Sequence, residues 1–206
     1  MKSVDLLARG GLWAAMLIWT ALAIGLLPIA SGVTEAVGKL EAAPSGEQAL
    51  QPSNAEVDGE ALRISVPPTW RRLQDGLTVM FAPEDGHGQF AGKAHVFYGI
   101  ELGVKPITRG DPSGAFDDVV QALKSTNPTL RSASTTRLVK LAGHLALRGT
   151  FSNTSLVTGR PEFVAVAAAP VEHSRALYVV GVAPQEQWGA FRPTLEAILL
   201  SIEKAR

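Results

Sequence analysis

The chain has 206 residues, with 19 lysines and arginines, 19 aspartates and glutamates, and no cysteine. The absence of cysteine excludes disulfides, thiolate metal ligands, a cysteine nucleophile and a lipid-modified cysteine anchor. The neutral total hides two parts of opposite charge: residues 32–60 carry one base against six acids, whereas residues 61–206 carry 16 bases and 12 acids. Because these bases form no dense run, nucleic acid is excluded as a partner.

The first element in chain order is an apolar segment near the start. No charged residue occurs between Arg9 and Glu35, and the core from Leu12 to Ile29 is almost wholly apolar. A helix of about 20 apolar residues spans the roughly 30 Å hydrocarbon core of a bilayer, so this segment predicts a membrane-spanning helix in contact with lipid. Bases such as Lys2 precede it and acidic residues follow it, which predicts a cytoplasmic N-terminus and a C-terminal part across the membrane.

The same segment also fits a cleaved export signal. Pro28 would end the helix just before Ala30, Ser31 and Gly32, and small residues at such positions suit a signal peptidase. The length favours an uncleaved anchor, because the apolar region of a signal is typically about 7 to 15 residues long. We therefore expect a single-pass protein of the inner (cytoplasmic) membrane with its C-terminal domain in the periplasm or outside. The alternative is a secreted or periplasmic protein that has lost residues 1–31.

Residues 32–60 have no sustained apolar period and contain several turn-forming residues, among them Pro44, Gly46 and Pro52. This composition is typical of a flexible linker. We therefore divide the chain into a membrane segment (1–31), an acidic flexible linker (32–60) and one folded domain (61–206).

The folded domain begins with a strand and leads to a well-marked helix. Apolar and polar residues alternate over 62–66, and further strands are predicted over 77–82 and 94–104, joined by a turn-rich segment. Asp111 is expected to cap a helix whose first residue is Pro112. The buried stripe of that helix is predicted to consist of Phe116, Val119, Val120 and Leu123.

Four more strands and a closing helix complete the pattern. The strands are predicted over 136–141, 145–152, 162–169 and 176–183, and their short connections favour antiparallel pairing. The closing helix is predicted over 186–204, and Trp70 and Trp188 are expected to close the ends of the core. These elements predict an α+β fold, with a mainly antiparallel twisted sheet of about six or seven strands sandwiched by helices and preceded by the N-terminal apolar helix.

Several segments carry a family resemblance: Ile-Ser-Val-Pro-Pro-Thr-Trp at 64–70, Ser-Thr-Asn-Pro at 125–128 and Tyr-Val-Val-Gly-Val-Ala-Pro at 178–184. Together they resemble the PsbP-like domain, which shares its fold with the Mog-type Ran-binding protein. The segments at 151–155 and 159–162 are similar to the version found at the C-terminus of some bacterial zinc metalloproteases. The resemblance covers about 62–202 and rests on packing and turn motifs.

This resemblance implies a non-enzymatic accessory role without a cofactor, through contacts with a protein partner such as an envelope protease or a membrane complex. The protease part itself is missing, because His-Glu-x-x-His occurs nowhere in the chain. No functional residue is therefore carried over from the family. The rival hypotheses are a hydrolase or metal-dependent enzyme whose site assembles only in the fold, and a module that binds a small ligand between sheet and helix.

The sequence offers two weak chemical patterns around residues 84–95. Glu84, Asp85, His87 and His95 could supply metal ligands, although polar residues are expected in such a Gly-rich turn. Residues 86–91 match the letters of a dinucleotide-binding glycine motif. Since that motif needs a following helix and a strand is predicted here, a hairpin loop is the favoured interpretation.

The last candidate site is the turn after the strand at 145–152. Asn153-Thr154-Ser155 fits the glycosylation acceptor pattern, but a polar hairpin tip is the simpler interpretation. Such tips often carry binding contacts, so Asn153, Ser155 and Arg160 are predicted to contribute to a partner-binding surface.

Overall fold

The computed structural model of the protein describes residues 49–172 and 174–205. In chain order, its elements are β1 (Gln51–Val57), β2 (Glu60–Val66), β3 (Arg71–Asp75), β4 (Thr78–Ala82), β5 (His87–Phe90), β6 (Lys93–Val96), β7 (Gly99–Pro106), α1 (Pro112–Thr126), β8 (Arg131–Ser132), β9 (Arg137–Leu141), β10 (His144–Thr154), β11 (Pro161–Glu172), β12 (Arg175–Pro184), α2 (Trp188–Ser201) and β13 (Glu203–Lys204).

The predicted membrane segment, and with it the anchor and signal alternatives, lies outside the described residues. Within the described ranges, neither helix is long and apolar enough to cross a bilayer.

The main sheet has the strand order β3-β4-β7-β12-β11-β10-β8, and β9 pairs with β10 on the same side as β8. Every recorded strand pair is antiparallel. A second, smaller sheet consists of β1, β2 and β13, and the hairpin β5–β6 forms a third. The predicted α+β class with a mainly antiparallel sheet is confirmed.

Strand β11 explains why helices are needed on both faces of this sheet. Residues 164–169 are all buried, although they alternate between the two faces. One face packs on α1 and includes Val164, Val166 and Ala168. The other packs on α2 and the β1–β2 hairpin and includes Ala165 and Ala167. We call these the α1 face and the α2 face.

Helix α1 begins and packs as the sequence predicts. The Asp111 side chain accepts a hydrogen bond from Gly114 N at 2.9 Å, and Pro112 occupies the first helical position. Phe116, Val119 and Val120 are buried against the α1 face. The apolar stripe read from the sequence is therefore the packing face of this helix.

Trp70 and Trp188 cover the core as predicted, but both lie at the same end of it and not at its two ends. Trp188 lies 5.7 Å from Phe191 between ring centroids, and Trp70 stacks on Phe191 at 6.3 Å. Phe191 is fully buried, whereas both tryptophans are half-buried beside it. They cover the core at the sheet end where β12 finishes.

Three predicted boundaries are corrected by the structure. The linker predicted to reach residue 60 gives way to β1, because Ala55 and Val57 are buried on the α2 face and Asp58-Gly59 forms a turn with positive φ. The predicted strand 94–104 is divided into β6 and β7. The closing helix ends at Ser201 rather than 204, because Glu203 and Lys204 pair with β2.

One ion pair lies beneath α2. Arg148 on β10 is only 4% exposed, and its Nη1 lies 2.5 Å from Glu196 Oε2. This contact is not aligned as a hydrogen bond, and Nη1 has no other partner among the described residues. The other oxygen of Glu196 accepts from Arg137 Nη2 at 2.8 Å, but the Arg137 side chain is exposed. Glu196 therefore supplies the counter-charge for a buried guanidinium.

We expect Glu196→Gln to lower the free energy of unfolding by about 2 kcal/mol, because it leaves the Arg148 guanidinium buried without a counter-charge. The matched control is Arg137→Gln, which removes an exposed partner of the same carboxylate and should cost less than about 1 kcal/mol. Urea denaturation of the full-length protein in detergent measures both values. Equal losses in the two variants would contradict the assignment.

Candidate functional site

The three predicted partner-binding residues lie in or beside one loop, which connects β10 to β11. Arg160 is exposed at this loop, as predicted for a binding residue. Asn153 and Ser155 are instead 8% and 5% exposed. The structure thus brings the three residues together but gives them different environments, and their role in binding a partner stays a prediction.

Asn153 belongs to a buried polar network on the α1 face. Its Nδ2 donates to Glu162 Oε1 at 2.8 Å, and its Oδ1 accepts from Thr129 Oγ1 at 2.7 Å. Thr129 Oγ1 in turn accepts from Thr154 N at 3.1 Å. These bonds fasten the loop to the segment that follows α1. They also occupy the nitrogen that would carry a glycan, so the glycosylation pattern has no accessible acceptor here.

Ser155 closes the loop on itself. Its N–H donates to Arg160 O at 2.9 Å, and its carbonyl accepts from Gly159 N at the same distance. Gly159 has a φ of +68°, a left-handed conformation that glycine adopts without steric cost. The turn therefore holds Arg160 at the surface on a fixed main chain.

Burial raises the pKa of Glu162, and the hydrogen bonds from Asn153 and Ser155 partly offset that increase. The cause is desolvation, which disfavours the charged carboxylate. Two hydrogen-bond donors therefore hold the Glu162 side chain in place, and through them Glu162 stabilises the loop.

The hairpin β5–β6 lies beside this loop. A Cβ added at Gly88 would lie 2.6 Å from Val157 Cγ1, so the hairpin backbone and the loop are in close contact. Phe90 is 42% exposed near the hairpin turn, and its ring meets the His95 ring edge-on at 6.0 Å between centroids. We call the loop 155–160 and the hairpin β5–β6 together the tip surface.

The two chemical patterns in this region have different outcomes. Residues 86–91 were expected to form a hairpin loop, but the structure places residues 87–90 in strand β5; a strand, β6, and not a helix follows them, as expected. For the metal hypothesis, no group of three or more His, Asp or Glu side chains suited to a metal ion occurs in the part of the chain that the structure describes. Glu84 instead pairs with Arg71 at 3.0 Å on the surface.

Sequence reasoning missed a polar cluster on the α1 face of the sheet. Tyr178 Oη lies 3.3 Å from both Glu101 Oε1 and Thr78 Oγ1. The Tyr178 ring crosses β7 directly over Gly103, where a Cβ would lie 2.5 Å from Oη. The sequence offered one signal for this cluster, the glutamate Glu101 at an inward-facing position of a predicted strand. Only the strand register shows that it meets Tyr178.

Both ionisable groups of this cluster are shifted. Burial raises the pKa of Glu101, and the hydrogen bond from Tyr178 partly offsets that increase. Burial and the nearby Glu101 charge raise the pKa of Tyr178 to about 12. Tyr178 is therefore a hydrogen-bond donor at neutral pH, and the cluster fixes its ring across the sheet.

A shallow groove of about 350 Å³ lies between the end of β7 and α1, where a small ligand between sheet and helix would sit. Its polar groups already bind one another. Lys105 Nζ donates to Asp118 O at 2.7 Å, and Asp118 Oδ2 accepts from Thr108 N at 2.6 Å. The hydrogen bonds from Thr108 lower the pKa of Asp118. The groove is therefore formed around hydrogen bonds that join α1 to the end of β7 and to the loop that follows it.

No family model and no curated protein matches the chain. Among solved structures, it is similar to cyanobacterial PsbP (CyanoP) from Synechocystis sp. PCC 6803, with 12% identity and a TM-score of 0.48 over 82% of this chain and 99% of that one. It is also similar to LpqN, involved in cell envelope biogenesis of Mycobacterium tuberculosis, with 14% identity and a TM-score of 0.47 over 76% and 92% of the two chains.

A further neighbour is the Saccharomyces cerevisiae Ran-binding protein Mog1p, with 11% identity and a TM-score of 0.45 over 76% of this chain and 96% of that one. The chain is also similar to a protein from Bacteroides thetaiotaomicron VPI-5482, but it spans only 45% of the length of that protein. With TM-scores below 0.5 and identities of 11–14%, these similarities carry no conclusion about the family, role or partners of this chain.

We expect Glu162→Gln to raise the melting temperature at pH 7. A raised pKa means that the folded state binds more protons than the unfolded state between the unfolded pKa, about 4.3, and the higher folded value. Stability therefore falls as the pH rises through that window, and the amide removes this loss while keeping an acceptor for Asn153. Thermal unfolding of the full-length protein from pH 3.5 to 8 measures the difference.

The gain in melting temperature should vanish below the unfolded pKa, where both side chains are neutral. Glu186→Gln at an exposed position is the control and should leave the profile unchanged. A gain of the same size at every pH would contradict a titration origin.

Proposed function

We propose that this chain is a membrane-tethered, extracytoplasmic accessory domain that is not an enzyme and acts by binding another protein through its tip surface. Its N-terminal segment is the tether. The partner is a protein of the same compartment, with an envelope protease or a membrane complex as the classes that the sequence resemblance suggests.

The observation that carries this proposal is the combination of exposed contact residues and a fixed support at the tip surface. Arginine and aromatic side chains such as Arg160 and the half-exposed Phe90 are enriched at protein interfaces, where they can insert into a pocket of the partner. The buried bonds of Asn153 and Ser155 hold the main chain beneath Arg160. A surface that is ordered before binding loses less conformational entropy when it binds.

The tethered location rests on the sequence. An apolar segment of bilayer length with a basic N-terminal flank supports a C-terminal domain outside the cytoplasm. The composition of the residues between this segment and β1, about 20 in number, predicts a linker with a reach of roughly 25 Å, so we expect the domain to meet partners at or near the bilayer surface.

Site-specific photo-crosslinking in native membranes tests the proposal. A photoreactive amino acid replaces Phe90 or Arg160 in the full-length protein, and the control position is Arg192, which is exposed on α2. We expect one discrete crosslinked product from positions 90 and 160 and none from 192. Phe90→Ser should reduce the product formed from position 160 by at least about tenfold, equivalent to about 1.4 kcal/mol.

Two results would overturn the proposal. Equal crosslinking from all three positions would show that the tip surface has no special role. Recovery of the full-length protein in the soluble cytosolic fraction would remove the tether and the compartment.

A further inference from the structure

We propose that the free edge of β9 binds an extended acidic segment of a partner protein, which joins the main sheet as an additional strand. This edge is formed by Arg137–Leu141, at the opposite side of the sheet from β3. The inference does not depend on the tip surface, which lies at the end of the strands.

The first argument is the unpaired backbone of β9. Strand β9 pairs with β10 along its whole length, from Arg137 opposite Arg148 to Leu141 opposite His144. No strand lies on its other side within residues 49–172 and 174–205. An edge strand presents a row of main-chain donors and acceptors that can pair with another extended chain. Strand β9 therefore presents the main-chain donors and acceptors that an additional strand would need.

The second argument is an apolar strip along this edge. Leu138 is 62% exposed and Leu145 is 54% exposed. The register pairs Leu138 with Leu147, so these three leucines lie on the same face of neighbouring strands. Charged residues alone would protect an edge from pairing, whereas an exposed leucine within it favours contact with an apolar side chain.

The third argument is charge. No acidic residue occurs between Asp118 and Glu162, and this stretch contains six bases: Lys124, Arg131, Arg137, Lys140, Arg148 and Arg160. Arg148 and Arg137 share the carboxylate of Glu196 beneath and beside the edge. Lys140, within β9 itself, is exposed and makes no ion pair with any described residue. The edge thus offers an unmatched positive charge beside the leucine strip.

This charge decides between the occupants of the edge. A second copy of the chain that paired through the same edge would supply no counter-charge for Lys140, because β9 contains no acidic residue. An anionic bilayer would match the charge but would leave the main-chain groups of β9 without strand partners. An extended segment that alternates acidic and apolar residues satisfies the charge, the leucines and the backbone together.

The test uses the full-length protein in detergent and a fluorescent seven-residue peptide of alternating glutamate and valine as the probe. We expect saturable binding by fluorescence anisotropy and slower amide hydrogen exchange over 137–141 when the peptide is present. A peptide of alternating lysine and valine should not bind. The decisive probe is the acidic peptide with N-methyl groups on alternate residues, which keeps the charge but blocks one hydrogen-bonding edge.

The matched variants are Lys140→Glu and Arg72→Glu, which reverse one exposed charge on each of the two opposite sheet edges. Lys140→Glu should weaken peptide binding by at least about tenfold, and Arg72→Glu should change it by less than about twofold. Leu138→Ser should weaken binding without altering the unfolding curve, because the side chain is already exposed.

Four results would overturn the proposal. The N-methylated peptide could bind as well as the unmodified one, which would mean that no strand forms. Lys140→Glu could abolish a dimer of the full-length protein, or its binding to vesicles containing anionic phospholipid, while the peptide fails to bind. The amides of 137–141 could also be protected without peptide and become exposed when Glu35, Glu41 and Glu47 are changed to glutamine, which would assign the edge to the chain's own acidic segment.

Discussion

The burial of both faces of β11 is the constraint on which the rest of the structure depends. Residues 164–169 are small or β-branched and are all buried, so each face of the sheet must be covered by another layer. The alanines of the α2 face leave room for Phe191, Leu195 and the β1–β2 hairpin. On the α1 face, valines meet Phe116 and Val119. A charged residue within this run would be buried without a partner and would destabilise the fold.

This constraint also determines where function can lie. Since the central strands are covered on both sides, contacts with other molecules are left to the ends and edges of the sheet. At one end, the hydrogen bonds among Asn153, Glu162 and Thr129 hold the connection between β10 and β11 in one conformation. At one edge, β9 keeps an unpaired backbone beside exposed leucines. The two surfaces differ in chemistry, because the tip presents side chains from loops and the edge presents main-chain groups.

Prediction from sequence succeeded where a local signal and the tertiary environment agree. Asp111-Pro112 and the stripe from Phe116 to Val120 identify α1, because capping and helical periodicity act within a few residues. It failed for β1, which was assigned to the linker, and for β5, which was assigned to a turn-rich loop, because both strands consist mostly of polar or small residues. It placed Asn153 and Ser155 at the right turn but did not predict their burial, which depends on Thr129, 24 residues before Asn153, and on the pairing of β10 with β11.

The sequence by itself determined the helices, most strands and the antiparallel α+β class, because periodicity, caps and short connections are encoded by neighbouring residues. It also determined the apolar N-terminal segment and the absence of acidic residues from 119 to 161. Only the tertiary structure decided that Tyr178 crosses Gly103 to reach Glu101 and that β9 is an edge. Such features depend on strand order and register, and these are fixed by packing between residues far apart in the chain.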